Sequence, residues 1–278
     1  MRFRPLAVLR CPLDHLPLES EGGVLRCANQ HSFDIATQGY VNLLGAQHKR
    51  SRDPGDTKEM VAARHRFLEA GYYQPLSDHL VHWLQSELQA DSLVVDAGCG
   101  EGYYLRELRQ HFLDAGQPEP RIVGFDISKW AVQRAARRFP ATWMVASNRN
   151  IPLADNSVDV VLDVFGFPNV EEFSRVLKSS GFLVRVQAAP KHLLELRRII
   201  YAKIESKDVV NSEPPGFARH SGARVTYDID HLGSEGIGDL LLMTPHLFRA
   251  SAEGKRRAAG LQVLAVTVDV SVDVFQRL

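Results

Sequence analysis

No apolar run in the sequence approaches the ~20 residues that a membrane-spanning helix needs, so no membrane span is expected. The first ten residues, Met1–Arg10, hold neither a long apolar core nor a small-residue cleavage site, which argues against a secretory signal. Cysteine is scarce: Cys11, Cys27 and Cys99 are too few for a disulfide scaffold and odd in number, which suits a reducing, cytoplasmic setting. Neither sign of charge is in excess, with 33 basic and 33 acidic side chains, which excludes a protein that holds nucleic acid by bulk charge but not one with a local basic patch. Internal repeats and low-complexity tracts are also missing. What remains, 278 residues that are 45% hydrophobic and 24% charged, is the composition of an ordinary globular protein of one large or two small domains.

Three textures follow one another along the chain. Residues 1–45 carry two of the cysteines, short apolar runs and a Gly22-Gly23 turn, a module too short to support a core without a staple. A polar connector, His48 to Asp56, ends in a Pro-Gly turn, and from Thr57 the apolar residues recur at helical spacing. From Ser92 short apolar segments alternate with helical ones: strands at Leu93–Asp96, Ile122–Asp126, Trp143–Ala146, Val158–Val164 and Gly181–Gln187, helices at Tyr103–Phe112, Lys129–Arg138 and around Val170–Val176. Such alternation predicts a parallel sheet covered on both faces. The valine-rich tail, Gly260–Phe275, reads as paired strands at the sheet edge. Two glycine-rich, charged stretches, Ser212–Gly222 and Gly233–Gly238, find no role in this scheme; the first reads as a surface loop or as a lid near a ligand.

The segment Asp96-Ala97-Gly98-Cys99-Gly100-Glu101-Gly102 joins the first of these strands to its helix. Glycines at alternate positions allow a sharp turn and close approach of a ligand. A dinucleotide loop would read G-x-G-x-x-G and leave its helix N-terminus for a pyrophosphate, whereas G-x-G-x-G after an acid suits a ligand without phosphates. Asp96 is placed to accept from a ligand ammonium or to order the loop. Asp126, at the end of the next strand and followed by Ile127, is placed to accept from two ribose hydroxyls. This combination resembles the class I S-adenosylmethionine-dependent methyltransferases over residues 90 to 190. In that family a third contact region follows the third strand, here Ser147 and Asn148, which either meet the adenine edge or cap a turn.

Cys11, Asp14, Cys27 and His31 form C-x2-D and C-x3-H clusters with the spacing of a structural zinc site; His15 is an alternative to Asp14, and two buried thiols without metal are the plainer reading.

With both modules in view, the chain resembles the RlmA family of 23S ribosomal RNA guanine-N1 methyltransferases. The resemblance rests on Phe33-Asp34, Gly39–Leu44, the run Gln47 to Asp56, Arg64, Phe67-Leu68, Tyr73–Leu76, Gly98–Tyr104, Pro190–Leu193 and Met243–Pro245. It implies an α/β, Rossmann-like fold with a mostly parallel seven-stranded sheet and a small zinc-ribbon-like N-terminal module. The expected division is an RNA-recognition module at 1–45, a basic linker and helix at 46–75, and a methyltransferase domain at 76–278. It implies zinc held by three cysteines and a histidine, where this chain has Asp14 in place of the second cysteine. Tyr73 and His192 match family positions that line the cofactor site, joining Asp96, Gly98, Cys99, Gly100, Glu101, Gly102, Asp126, Ile127, Ser147 and Asn148 as cofactor-binding candidates. The basic run His48, Lys49, Arg50 and Arg52 is the candidate RNA contact, since such side chains position nucleic acid through phosphates. Asp163, at the carboxyl end of a strand, is the candidate base for the guanine N1 proton. A cytoplasmic enzyme acting on a hairpin loop of 23S ribosomal RNA is expected, with no membrane partner and with dimerisation left open. A small-molecule methyltransferase and a non-catalytic RNA-binding factor are the competing readings.

Overall fold

The computed structural model describes residues 2–45, 54–204 and 212–278. Among them no helix is long and apolar enough to cross a membrane. Three short antiparallel strands, β1 (Glu19–Glu21), β2 (Val24–Arg26) and β3 (Ser32–Asp34), form an N-terminal ribbon. It is followed by β4 (Tyr40–Asn42) and two helices, α1 (Lys58–Glu69) and α2 (Gln74–Glu87). Thr57 starts α1 by accepting from the Met60 N–H at 3.3 Å.

The alternating part runs β5 (Leu93–Ala97), α3 (Tyr103–Asp114), β6 (Arg121–Asp126), α4 (Lys129–Arg138), β7 (Thr142–Val145), β8 (Val158–Val164), α5 (Val170–Val176) and β9 (Leu177–Ala188). The closing part is α6 (Leu194–Ile200), β10 (Phe217–Gly233), α7 (Ser234–Leu242), α8 (His246–Arg249), α9 (Ala252–Ala259) and β11 (Val263–Arg277). One sheet takes the order β10-β11-β9-β8-β5-β6-β7-β4, parallel except where β11 meets β9 and β10. Strand β5 is buried at every residue, as expected for a strand covered on both faces.

The sheet has eight strands rather than seven. The extra one is β4, whose Tyr40-Val41-Asn42 pairs in parallel with Trp143-Met144-Val145 of β7. A second difference lies in the tail. The valine run is one fifteen-residue strand inside the sheet, not a pair at its edge. Its valines at 266, 268, 270, 272 and 274 enter one apolar cluster, while Asp269 and Asp273, on the opposite face, pair with Arg224 and Arg219 of β10. The edge is β10 itself, so most of Ser212–Gly222 is strand. Gly233 caps α7, which begins inside the second unexplained stretch.

The N-terminal segment has no separate core. Phe3, Leu9, Leu25 and Val41 are buried in the same cluster as Val95, Phe125 and Val161 of the sheet. Each such side chain contributes about 1.5–3 kcal/mol when fully buried. Backbone bonds fasten the contact: Arg10 N–H donates to Pro152 O at 2.9 Å and Ala154 N–H to Val8 O at 2.8 Å. The module thus covers the sheet face beside residues 146–157, a connection with no helix of its own. The staple expected for so short a segment is largely the sheet.

A candidate cofactor and substrate cleft

Strand order reverses beside β5, which leads to β6 on one side while β8 lies on the other, and a crevice opens there at the strands' carboxyl ends. A cleft of about 1510 Å³ occupies it. Asp96, Gly98, Cys99, Gly100, Glu101, Asp126, Ile127, Ser147, Asn148, Tyr73 and His192 all border this one space. Gly102 does not. It holds φ +77° at the start of α3, and a Cβ there would stand 2.6 Å from the Trp143 ring, so its lack of a side chain serves packing. Gly98, at φ +95°, faces open space and leaves backbone exposed to a ligand.

The acids in the cleft are in different states. Asp96 is 1% exposed, and neither of its carboxylate oxygens has a hydrogen-bond partner among the described residues. Burial, and then the nearby Asp126 and Asp163 carboxylates, push its carboxyl up to about 8. Asp126 accepts from Gly100 N–H at 3.0 Å and Ser128 N–H at 2.7 Å, which fixes it while each oxygen keeps a second lone pair. Glu101 borders the cleft and forms ion pairs with Arg134 and Arg138, both at 3.0 Å, and with His65 at 3.1 Å, although its Oε2 makes no hydrogen bond among the described residues. Its role is to tie the glycine loop to α1 and α4.

Asn148 donates through Nδ2 to Phe167 O at 2.8 Å and leaves Oδ1 buried without a partner, whereas the Ser147 hydroxyl accepts from Arg149 N–H at 3.2 Å within its own turn. Of the two, Asn148 is the one with a free acceptor. His192 Nδ1 accepts from Asp269 N–H at 3.2 Å, so the ring proton sits on Nε2, 3.4 Å from the Tyr73 hydroxyl. Burial and then His246 hold His192 down at about 4, hence neutral. Phe165 stacks on it with ring centres 5.6 Å apart.

Asp163 is 1% exposed and does not border the cleft. Its Oδ1 has no partner and lies 2.1 Å from where a Cβ on Gly166 would stand, and Gly166 does border the cleft. Gly166, part of the cleft wall, thus packs directly against the carboxylate. Burial raises Asp163 to about 6, against the pull of Arg185, its register partner on β9.

Sequence reasoning did not place Gly55, Asp56 or Arg64 at the cofactor cleft. A Cβ on Gly55 would stand 2.8 Å from Ile127 and 2.9 Å from Ser128, and Ser128 Oγ donates to Asp56 O at 2.7 Å. Arg64 pairs with Asp56 and donates to Met243 O at 3.0 Å. The Pro-Gly turn, α1 and Met243–Pro245 therefore meet at the cofactor end of the cleft. No local signal announces this, because a Pro-Gly pair reads the same in any connector. His48, Lys49, Arg50 and Arg52 lie outside the described residues.

In the N-terminal module, ligand atoms of Cys11, Asp14, Cys27 and His31 lie within 4.8 Å of one another. His31 Nδ1 is 3.5 Å from each sulfur and 3.0 Å from Asp14 Oδ2, and the Cys27 sulfur is 3.4 Å from that oxygen. Ligands ~2.0–2.3 Å from a tetrahedral zinc stand roughly 3.3–3.8 Å apart, so the four fit that ion. His15 is not in the cluster. Asp14 is held by Leu16 N–H at 3.1 Å and Asn29 Nδ2 at 3.0 Å, the outer hydrogen bonds that orient a metal ligand. Removing one of them, in Asn29→Ala, is expected to weaken zinc binding about tenfold. Competition against a chromogenic chelator measures it, and unaltered affinity would show that the Asn29 hydrogen bond does not orient a zinc ligand.

Residues 9–52 match the family model described as the N-terminal zinc ribbon of RlmA, and residues 94–181 match a methyltransferase domain. The 23S rRNA (guanine(748)-N(1))-methyltransferase of Streptomyces fradiae is 38% identical over 200 residues, covering 70% of this chain and 69% of that one. The Bacillus subtilis protein named "Putative 23S rRNA (guanine-N(1)-)-methyltransferase YxjB" is 31% identical over 277 residues, covering 96% of each. With a ribbon match, a methyltransferase match and relatives that cover 70% and 96% of its length, the chain belongs to the RlmA-type family of 23S rRNA (guanine-N1) methyltransferases.

Proposed function

We propose that the protein transfers a methyl group from S-adenosylmethionine to N1 of a guanine in a hairpin loop of 23S ribosomal RNA, and that its N-terminal module holds one zinc ion. The observation that carries the reading is Asp96: a buried carboxylate with two unpartnered oxygens, at the mouth of a glycine loop, calls for a cationic group from outside the chain. S-adenosylmethionine supplies that cation in its ammonium, and it brings an activated methyl on a sulfonium that is its own leaving group.

The residues then have separate tasks. Asp96 accepts from the ammonium, Asp126 from the ribose hydroxyls, and Asn148 Oδ1 from the adenine amino group. His192, neutral and with its proton on Nε2, and Tyr73 present donors near the floor of the substrate end. Asp163, packed directly behind Gly166 of the cleft wall, takes the proton that guanine N1 must lose as its bond to the methyl carbon forms and the methyl–sulfur bond breaks. At pH 7 a carboxyl titrating near 6 is mostly ionised and can accept it. Zinc is structural in this account: it closes the ribbon's two turns and takes no part in the transfer. The RNA is met by the basic run from His48 to Arg52.

The test is methyl transfer from labelled S-adenosylmethionine to unmodified 23S rRNA and, in parallel, to a cytosolic small-molecule fraction. Label in RNA supports the proposal. Label confined to small molecules, with zinc and cofactor both bound, would replace it with a small-molecule methyltransferase.

A further inference from the structure

The chain has thirteen phenylalanines, and three of them are exposed: Phe165 at 38%, Phe167 at 83% and Phe248 at 73%. All three border the same cleft, although they come from two distant parts of the sequence, the segment after β8 and helix α8. The remaining ten are buried or half-buried. Phe165 lies deepest, against His192 and Tyr73. Phe167 and Phe248 are far more exposed and belong to the rim. The cleft, at about 1510 Å³, is also larger than the roughly 300–1,000 Å³ of an ordinary small-molecule site. Arg149 and Arg249 border it as well, exposed, and neither side chain meets an acceptor among the described residues. Glu171 is the exposed acid on the same wall.

Exposed rings beside unpaired guanidinium groups match the chemistry of single-stranded nucleic acid, whose bases stack on aromatic faces while cations meet the phosphates. We infer that Phe167 and Phe248 are stacking platforms for the nucleotides flanking the target guanine, and that Arg149 and Arg249 take their phosphates. This inference rests on the proposed RNA substrate and deepens it. The target base must reach the floor near Asp163 and His192, so rings at the rim meet its neighbours instead. Unstacking a loop needs a partner for each splayed base, and a phenyl face accepts any base. The platforms therefore hold the loop open without reading its sequence, and discrimination for guanine stays with the floor. Phe167 is also fixed to the cofactor side: Asn148, the candidate adenine contact, donates to its carbonyl oxygen.

The test uses full-length Phe167→Ala, Phe248→Ala and the aromatic controls Phe167→Trp and Phe248→Trp, with a hairpin RNA that the wild type methylates. Because both side chains are exposed, the alanine variants are expected to fold and to bind S-adenosylmethionine with wild-type affinity. Each is expected to raise KM for the RNA by about 5- to 150-fold, with the loss in KM rather than kcat, and tryptophan is expected to restore it. Unchanged KM in both alanine variants of an enzyme that methylates the hairpin would overturn the inference while leaving the RNA substrate standing. Failure of tryptophan to restore KM would overturn the stacking role. A wild type that binds the cofactor and methylates no RNA would overturn the substrate reading and this inference together.

Discussion

Asp163→Asn is expected to lower kcat for methyl transfer by about 10²-fold or more, because it removes a proton acceptor, while affinity for S-adenosylmethionine should not fall, since losing the Asp163 charge makes Asp96 easier to ionise. The asparagine has the same shape, so the buried slot between β8 and β9 stays filled. In the wild type the rate should rise as pH climbs through about 6, where the Asp163 carboxyl ionises, and that limb should vanish in the variant. Gly166→Ala tests the same step without deleting the acid. An added Cβ would stand 2.1 Å from Asp163 Oδ1 and 3.3 Å from Ala97 O, so the carboxylate must turn away from its present position. Rate profiles of the two variants over pH 5 to 8 are the measurement. Wild-type kcat in Asp163→Asn would remove it from the chemistry and leave the proton to solvent.

Asp96→Asn is expected to weaken cofactor binding by about 10- to 150-fold, the value of a hydrogen bond to a charged partner. Its pH dependence distinguishes this role from a structural one. In the free protein, burial and the neighbouring carboxylates hold Asp96 up at about 8, so at pH 7 it is mostly protonated. A cation binds the ionised form. Binding at pH 7 therefore releases a proton, and affinity should increase as pH is raised from 6 toward 8, until the ligand's own ammonium begins to lose its proton. Calorimetry in buffers of different ionisation heat reads that proton directly. The asparagine variant should release none; equal affinity and equal proton release in the two proteins would contradict the assignment.

How much of this was legible in the sequence depended on burial. Strands β5 and β8 are covered on both faces, and Val158–Val164 is found as read. The acid-glycine loop was legible because a sharp turn at a strand end leaves few residue choices. By contrast β10 is exposed along most of its length, so Arg219-His220-Ser221-Gly222 shows no alternation and looks like a loop. The three residues of β4 are too short for any periodicity, and only the partner β7 makes them a strand. In the cleft, residue types announced Asp96 and Asp126. They could not announce that Glu101 is paired with two arginines or that Gly102 makes room for Trp143. Those are contacts between distant segments, and a single sequence does not contain them.

Methyl transfer from labelled S-adenosylmethionine to 23S rRNA, taken from a strain that lacks this protein and followed by nuclease mapping, tests the central claim most directly. The account predicts label in a single hairpin-loop guanine, recovered as N1-methylguanosine. An absence of label from protein that binds the cofactor, or label on a different base, would contradict it.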